Sequence, residues 1–154
     1  MARDRILVAT DFSPASRPAV RQALNLSKTT GATLVIAHVL EEPLPFSPEG
    51  YVLPRVYDEL AQVVRAQAQK KMRALLVLAR KTGVQARGLL LRGAPHEAIV
   101  RAARAHGAGQ IVVGTHGRSG VSRLFLGSVA AKVIASSTCP TLVVPAGRKA
   151  GRKR

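Results

Sequence analysis

The sequence IVVGTHG at residues 111–117, followed after nine further residues by GS at 127–128, decides the fold. The apolar run predicts a strand, and the glycines predict a tight turn into a helix that opens near Gly127. The first N–H groups of a helix have no partner within it and lie at the positive end of its dipole, so the pattern is typical of a phosphate-binding loop. Taken singly, each glycine also fits a simple turn or close helix packing. Their combination with the strand and with Ser128 favours the phosphate site.

Five continuous apolar runs predict a parallel sheet, because parallel strands are buried on both faces. These runs lie at residues 6–9, 34–37, 88–91, 111–113 and 142–144. Helical patterns fill the gaps between them, so we expect right-handed crossovers and a single open five-stranded parallel sheet with helices on both faces, an α/β fold. Ligands of such sheets bind beyond the carboxyl ends of the strands where the strand order reverses. The loops after the first and fourth predicted strands are therefore the candidate site.

Four helices are predicted between these strands. The first begins at Ser13-Pro14 and ends at Gly31, the third begins at Pro95 and ends before Gly107, and the fourth spans about 127–136. The second carries the longest apolar repeat, with members three and four residues apart, and we expect this stripe to be core. Its members are Val56, Leu60, Val63, Val64, Met72, Leu75, Leu76 and Ala79.

Length and composition place the chain in a broad class. A chain of 154 residues suits one domain with a full core. Cys139 is the only cysteine, which excludes an intrachain disulfide. The first residues lack the apolar segment of a signal peptide, and no apolar run approaches the ~18 residues that span a membrane. We therefore expect a soluble, cytoplasmic protein without a membrane partner.

The formal net charge of +16 is compatible with a nucleic-acid partner, an acidic small ligand or an arginine-rich composition. Residues 147–154, GRKAGRKR, hold five of the cations and are predicted to be a basic disordered tail after a domain at 1–146. Most other cations are spaced along predicted helices, where a solvated face accounts for them. The tail has no aromatic side chain on which a base would stack.

The segment at residues 40–55 is too long for an ordinary strand-to-helix connection and contains four prolines. It lies after the second predicted strand, where a lid or a dimer contact is one interpretation. A solvent-exposed, semi-rigid connection is the other, although Phe46 and Tyr51 would be unusual in it.

Several ligand-binding families are excluded by the sequence ATDFS at residues 9–13, which follows the first strand. It contains neither the GxGxxG of dinucleotide folds nor the GxxxxGK[ST] of P-loop nucleotidases. A phosphoacceptor receiver would need an Asp at the end of the third strand, where this chain has LRG at 91–93. The Gly- and Ser-rich loop of pyrophosphatase-type synthetases is also missing.

The remaining combination of motifs resembles the universal stress protein family, in its nucleotide-binding branch, across about residues 3–146. The resemblance rests on G-2x-G-9x-G-S at 114–128, ATDFS at 9–13, GxPxExI at 93–99 and CPTLVV at 139–144. It implies a Rossmann-like fold of the adenine nucleotide alpha hydrolase type.

The resemblance also implies ATP, together with Mg²⁺, as the ligand. The residues that it implies as nucleotide contacts are Ala9, Thr10, Asp11, Val39, Val113, Gly114, Gly117, Arg118, Gly127, Ser128 and Val129. The first three would line the ribose and adenine side, Val39 would meet the adenine edge through its backbone, and the others would form the phosphate wall. Asp11 has a second interpretation, a hydrogen bond to loop N–H groups near Ser13. A direct bond from Asp11 to Mg²⁺ is disfavoured because Mg²⁺ keeps waters and binds nucleotide phosphates.

The expected function is that of an ATP-binding regulatory protein of the stress response, whose nucleotide changes a surface for an unidentified protein partner. We predict no catalytic residue and no metal ligand, since His116 has no matched acid or nucleophile. Hydrolysis, or autophosphorylation on Ser128, Ser119 or Ser122, would be slow at most. The alternative is a basic nucleic-acid or polyanion binder in which the nucleotide pocket is idle.

The resemblance further implies a homodimer formed through the last strand, Thr141–Val144. An apolar edge strand of this kind needs covering, which agrees with the dimer.

Overall fold

The computed structural model describes residues 5–116 and 125–147. Its strands are β1 (Arg5–Ala9), β2 (Thr33–Val39), β3 (Phe46–Ser47), β4 (Gly50–Tyr51), β5 (Ala86–Leu91), β6 (Gln110–Gly114) and β7 (Thr141–Val144). Five of them form one sheet in the order β5-β2-β1-β6-β7, in which every pairing is parallel. The predicted fold class and all five apolar runs are confirmed. Each observed strand contains its predicted run and extends slightly beyond it.

Four α-helices connect the strands: α1 (Arg17–Thr30), α2 (Pro54–Lys81), α3 (Pro95–Ala105) and α4 (Ser128–Ser136). The chain leaves Ser13 into a short 3₁₀ turn, Pro14–Ser16, and α1 itself begins only afterwards. Ser13 still acts as the predicted cap, because its Oγ accepts the N–H of Ser16 at 3.3 Å. The end of α1 is also as predicted, since Gly31 takes the left-handed conformation at φ 74° that a side chain would disfavour.

Two apolar layers enclose the sheet. On one face, Val20 of α1 and Met72 of α2 pack with Ile6 and Val8 of β1. On the other face, side chains of α3 and α4 pack with Leu7 of the same strand. Successive residues of a strand point to opposite faces, so a strand that is apolar throughout contributes to both layers. Within the described residues, no helix is both long enough and apolar enough to span a membrane.

The apolar stripe of α2 is only partly core, which corrects the prediction from its periodicity. Met72 and Ala79 are buried, but Val56, Leu60 and Val63 are 43%, 46% and 53% exposed. The helix has 28 residues and a length of about 42 Å. A strand of seven residues, such as β2, reaches only about 23 Å. The second half of α2 therefore covers the sheet, and its first half extends past the sheet edge.

The segment between β2 and α2 contains a small hairpin formed by β3 and β4. The rings of Phe46 and Tyr51 meet edge to face with centroids 5.6 Å apart, and both remain largely exposed. The predicted segment overlaps α2 by two residues, because the helix already begins at Pro54. The interpretation of this segment as a lid or dimer contact stays a prediction.

The order of the strands fixes the position of the site. From β1 the chain adds β2 and then β5 on one side, and it crosses back through α3 to add β6 and β7 on the other side. The loops that leave β1 and β6 therefore turn towards opposite faces of the sheet. This divergence opens a crevice at the carboxyl ends of these two neighbouring strands.

Candidate functional site

A cavity of about 670 Å³ occupies this crevice. Among its lining residues are Ala9, Thr10, Asp11, Val39, Val113, Gly114, Gly127, Ser128 and Val129. These are all of the predicted contact residues that the structure describes, and it brings them together around one space. Gly117 and Arg118 lie outside the described residues, as do Ser119, Ser122 and residues 148–154 of the tail. The role of each residue in binding a ligand stays a prediction.

The cavity has further walls that we did not predict. One comes from the start of α3 and includes Gly93, Pro95 and Ile99, and another comes from Leu40, Glu41 and Glu42 after β2. Thr115 and His116, which directly follow β6, complete the lining on that side. The order of the elements could have predicted these walls, because each of these segments follows the carboxyl end of a parallel strand or opens the next helix.

The loop after β1 is held by a buried network centred on Thr10. The hydroxyl Oγ1 of Thr10 accepts the N–H of Phe12 at 3.0 Å and lies 2.9 Å from the Ser16 hydroxyl. The buried His38 donates from Nδ1 to the Thr10 carbonyl oxygen at 2.9 Å. Phe12 takes an uncommon positive φ of 61°, and its ring lies 4.3 Å from the His38 ring. These contacts fix the loop in one conformation along the cavity wall.

The carboxylate of Asp11 makes the predicted loop contact, and its contact with a ligand stays a prediction. Its Oδ1 accepts the N–H of Ser13 at 2.9 Å, the loop contact that was one of the two alternatives. The same side chain also lines the cavity. The loop N–H group therefore orients a carboxylate that borders the space available to a ligand.

Position 127 requires a glycine because the chain approaches the backbone of Thr115 closely there. The Gly127 N–H donates to the Thr115 carbonyl oxygen at 2.7 Å. A Cβ added to Gly127 would lie 2.7 Å from that same oxygen, whereas one added to Gly114 would keep an ordinary 3.5 Å to the His116 oxygen. The φ of Gly127 is −62°, which any residue adopts, so the requirement is steric and not conformational.

The amino terminus of α4 opens into the cavity. Within the described part of the chain, no side chain caps this helix, because its N-cap residue is Gly127. Ala131 is the first residue whose N–H bonds to the N-cap carbonyl, at 3.0 Å, so the N–H groups of residues 128–130 have no acceptor within the helix. Ser128, Val129 and Ala130 all line the cavity. Such a terminus, at the positive end of the helix dipole, attracts an anion.

The start of α3 faces the same cavity. Its N-cap residue is Ala94, which has no hydrogen-bonding side chain, and Pro95 follows in the first turn. Gly93 precedes it with a φ of 103°, a conformation that favours glycine. Two helix termini therefore converge on one cavity from neighbouring connections.

The charged side chains around the cavity are acidic. Asp11, Glu41 and Glu42 line it, and the described lining contains no Lys or Arg. Glu42 lies 3.8 Å from Arg92 in an exposed pair, which stabilises little. No group of three or more His, Cys, Asp or Glu side chains among the described residues is placed to hold a metal ion. Among the described residues, the groups of this cavity that suit an anion are therefore the N–H groups at the start of α4.

Comparison with known proteins gives the family. The family model of the universal stress proteins matches residues 2–145. The chain belongs to the universal stress protein family. The universal stress protein YxiE of Bacillus subtilis is 35% identical over 145 residues, which cover 92% of this chain and 98% of YxiE.

Solved structures of universal stress proteins share the fold. The protein UspA of Lactobacillus plantarum is 25% identical and superposes with a TM-score of 0.79, covering 91% of this chain and 96% of its own. A universal stress protein solved in complex with cAMP is 26% identical with a TM-score of 0.67, covering 93% of this chain and 97% of its own. The Rossmann-like α/β fold predicted for this universal stress protein is thereby confirmed.

Proposed function

We propose that this universal stress protein binds ATP in the crevice between β1 and β6 and acts as a nucleotide-dependent regulatory protein in a stress response. The observation that carries the proposal is the uncapped amino terminus of α4, which opens into a 670 Å³ cavity beside the close contact of Gly127 with Thr115. The fit is chemical, because the N–H groups of this terminus suit phosphate and the apolar ends of β1, β2 and β6 suit a base. The relative solved with cAMP supports an adenine nucleotide as the ligand class.

The charges around the cavity favour one orientation of the bound nucleotide. Glu41 and Glu42 follow β2, whereas α4 follows β6, and β1 lies between these two strands. With neighbouring strands about 4.8 Å apart, the two sides are separated by about 10 Å. Carboxylates accept hydrogen bonds from ribose hydroxyls but repel phosphate. We therefore place the adenosine near Asp11 and Glu41 and the phosphates near Gly114 and the start of α4.

In this proposal Mg²⁺ binds together with the nucleotide and is not held by a metal site of the protein. Mg²⁺ commonly binds through substrate phosphates and a few waters, which requires no protein cage. When bound, it neutralises phosphate charge that the acidic lining does not. We expect hydrolysis and autophosphorylation to be slow at most, since phosphoryl transfer also needs metal ligands and a positioned base.

Ser128→Asp is a direct test, because it separates nucleotide binding from folding. A carboxylate in the first turn of α4 is favoured by the helix dipole, so the fold should be retained. The same carboxylate at 4–8 Å from a phosphate, with an effective dielectric constant of ~20, costs about 2–4 kcal/mol of binding free energy. We therefore expect the affinity for Mg-ATP to fall about 30-fold or more. Ser136→Asp, at the other end of the same helix, places the same charge about 12 Å further from the phosphates, where salt screens it, and should lower the affinity much less.

Calorimetric titration with Mg-ATP and with tripolyphosphate measures these affinities. The proposal predicts saturable binding of one ATP per chain and much weaker binding of tripolyphosphate, which lacks the adenosine. Equal binding of the two ligands would reduce the site to general anion attraction. Equal ATP affinity in the Ser128→Asp and Ser136→Asp proteins would mean that the phosphates do not bind at the start of α4.

We also propose that the protein forms a homodimer through β7. This strand is at the edge of the sheet, and its four residues are only partly buried. An exposed apolar edge offers unpaired backbone groups to a second chain, and pairing with a second copy would cover them.

A further inference from the structure

A second cavity, of about 600 Å³, lies between α1 and α2 on the face of the sheet away from α3 and α4. The helix α1 packs mainly on β1 and α2 packs on β5, with β2 between these strands, so the two helices are held apart. We call the space between them the α1–α2 groove. Its apolar floor consists of Phe12, Val20, Leu24, Leu75 and Leu78.

The rim of the α1–α2 groove is basic. It contains Arg17, Arg21, Lys28 and Lys71, and no carboxylate occurs among the described residues that line it. Lys71 extends over the floor, with its Nζ 5.9 Å from the centre of the Phe12 ring. The nucleotide crevice has the opposite charge pattern, since its described lining is acidic. The groove therefore complements a ligand with a negative charge and a substantial apolar surface.

The walls of the groove narrow the ligand class further. Most of the lining lies on the sides of α1 and α2. The backbone groups on the side of a helix are already paired, so these walls offer few backbone partners to an extended peptide. A compact polyanion would leave the apolar floor in contact with water. A ligand with one charged end and an aliphatic body would satisfy both the rim and the floor.

We propose that the α1–α2 groove binds a long-chain fatty carboxylate. The aliphatic chain lies on the floor formed by Val20, Leu24, Leu75 and Leu78, and the carboxylate lies among the rim cations. The groove lies on another face of the loop after β1 from the nucleotide crevice, although Thr10 and Ser16 line both cavities, and its test is carried out without ATP.

The probe is cis-parinaric acid, a fatty acid whose fluorescence rises on transfer from water to an apolar site. We expect saturable binding of one probe per chain. Palmitate should displace it at least tenfold more effectively than hexadecanol, which has the same chain without the charge. Equal displacement by the two competitors would overturn the proposal. Displacement by a short polyglutamate peptide as effective as that by palmitate would also overturn it, in favour of an acidic polypeptide.

Two pairs of variants locate the binding. Leu78 and Val77 are adjacent on α2 and 44% and 47% exposed, but only Leu78 lines the groove. We expect Leu78→Asp to weaken probe binding at least tenfold and Val77→Asp to change it less than twofold. Lys71→Gln should weaken the binding of palmitate, and Lys70→Gln should not, because Lys70 does not line the groove. Equal probe affinity within both pairs would place the fatty acid elsewhere and refute the assignment.

Discussion

Replacing Gly127 with alanine tests the contact that closes the loop between β6 and α4. The new methyl group would lie 2.7 Å from the Thr115 carbonyl oxygen, whereas ordinary contacts begin at 3.4 Å. A flexible side chain could move away, but this oxygen belongs to the backbone and already accepts the Gly127 N–H at 2.7 Å. Relief of the overlap by about 0.7 Å, the difference between 3.4 and 2.7 Å, must therefore move either residue 115 or the start of α4.

The size of the effect follows from two opposing terms. Overpacking at a close contact costs about 1–3 kcal/mol. Replacing glycine by alanine at an allowed conformation returns about 0.4–1 kcal/mol, because the unfolded chain has fewer states to lose. The φ of −62° makes Gly127 such a position. We expect a net loss of about 1–2 kcal/mol in the free energy of unfolding, or about 2–8 °C in Tm for a domain of this size.

Urea unfolding followed by circular dichroism measures this loss, with Gly114→Ala as the matched control. A methyl group at Gly114 keeps an ordinary 3.5 Å from the nearest oxygen, so this variant should be at least as stable as the parent protein. The movement of α4 should also lower the affinity of the Gly127→Ala protein for ATP. If the Gly127→Ala protein unfolds at the same urea concentration as Gly114→Ala, the steric reasoning is wrong.

Two further predictions concern α2 and β7. Leu60→Gln, on the exposed first half of α2, should change the free energy of unfolding by less than about 0.5 kcal/mol. Met72→Ala, in the buried second half, should lower it by about 2–5 kcal/mol. Urea unfolding measures both changes. Val143→Pro should dissociate the proposed dimer in sedimentation experiments while the monomer stays folded. The carbonyls of Pro140 and Val144 accept N–H groups of β6 and the residue after it, so the backbone N–H of residue 143, in alternation, points away from β6 and its loss costs no bond within the sheet. An unfolded Val143→Pro protein, or one that keeps the mass of a dimer, would contradict this orientation of the strand.

The elements that were predictable from the sequence are those with local signals. Each strand of the five-stranded sheet contains a continuous apolar run, and prolines at 14 and 95 and glycine at 31 mark helix boundaries through their own backbone preferences. The lining of the crevice was predictable for a related reason. Parallel strands bring their carboxyl ends to one edge, so motifs after β1 and β6 must meet once the strand order is known.

The features that were not predictable depend on contacts between distant segments. The repeat in α2 identifies an apolar stripe but not what covers it, and Leu60 is exposed because the helix is longer than the sheet. His38 gave no sign of its bond to the Thr10 carbonyl, since the two residues lie 28 positions apart. Taken singly, the glycine at 127 also fitted close packing, and only its combination with the strand and Ser128 favoured a phosphate loop. Its distance to Thr115 accounts for the packing, and only binding measurements test the phosphate loop.

The loop after β1 links the two cavities of the molecule. Thr10 and Ser16 line both the nucleotide crevice and the α1–α2 groove, and their hydroxyls are 2.9 Å apart. Phe12 lines the groove and contacts His38, which lines the crevice. The positive φ of Phe12 is strain that this buried network must hold in place. A ligand in either cavity would therefore border the same strained loop, so a substitution that disrupts the Thr10–Ser16 contact should disturb the walls of both cavities.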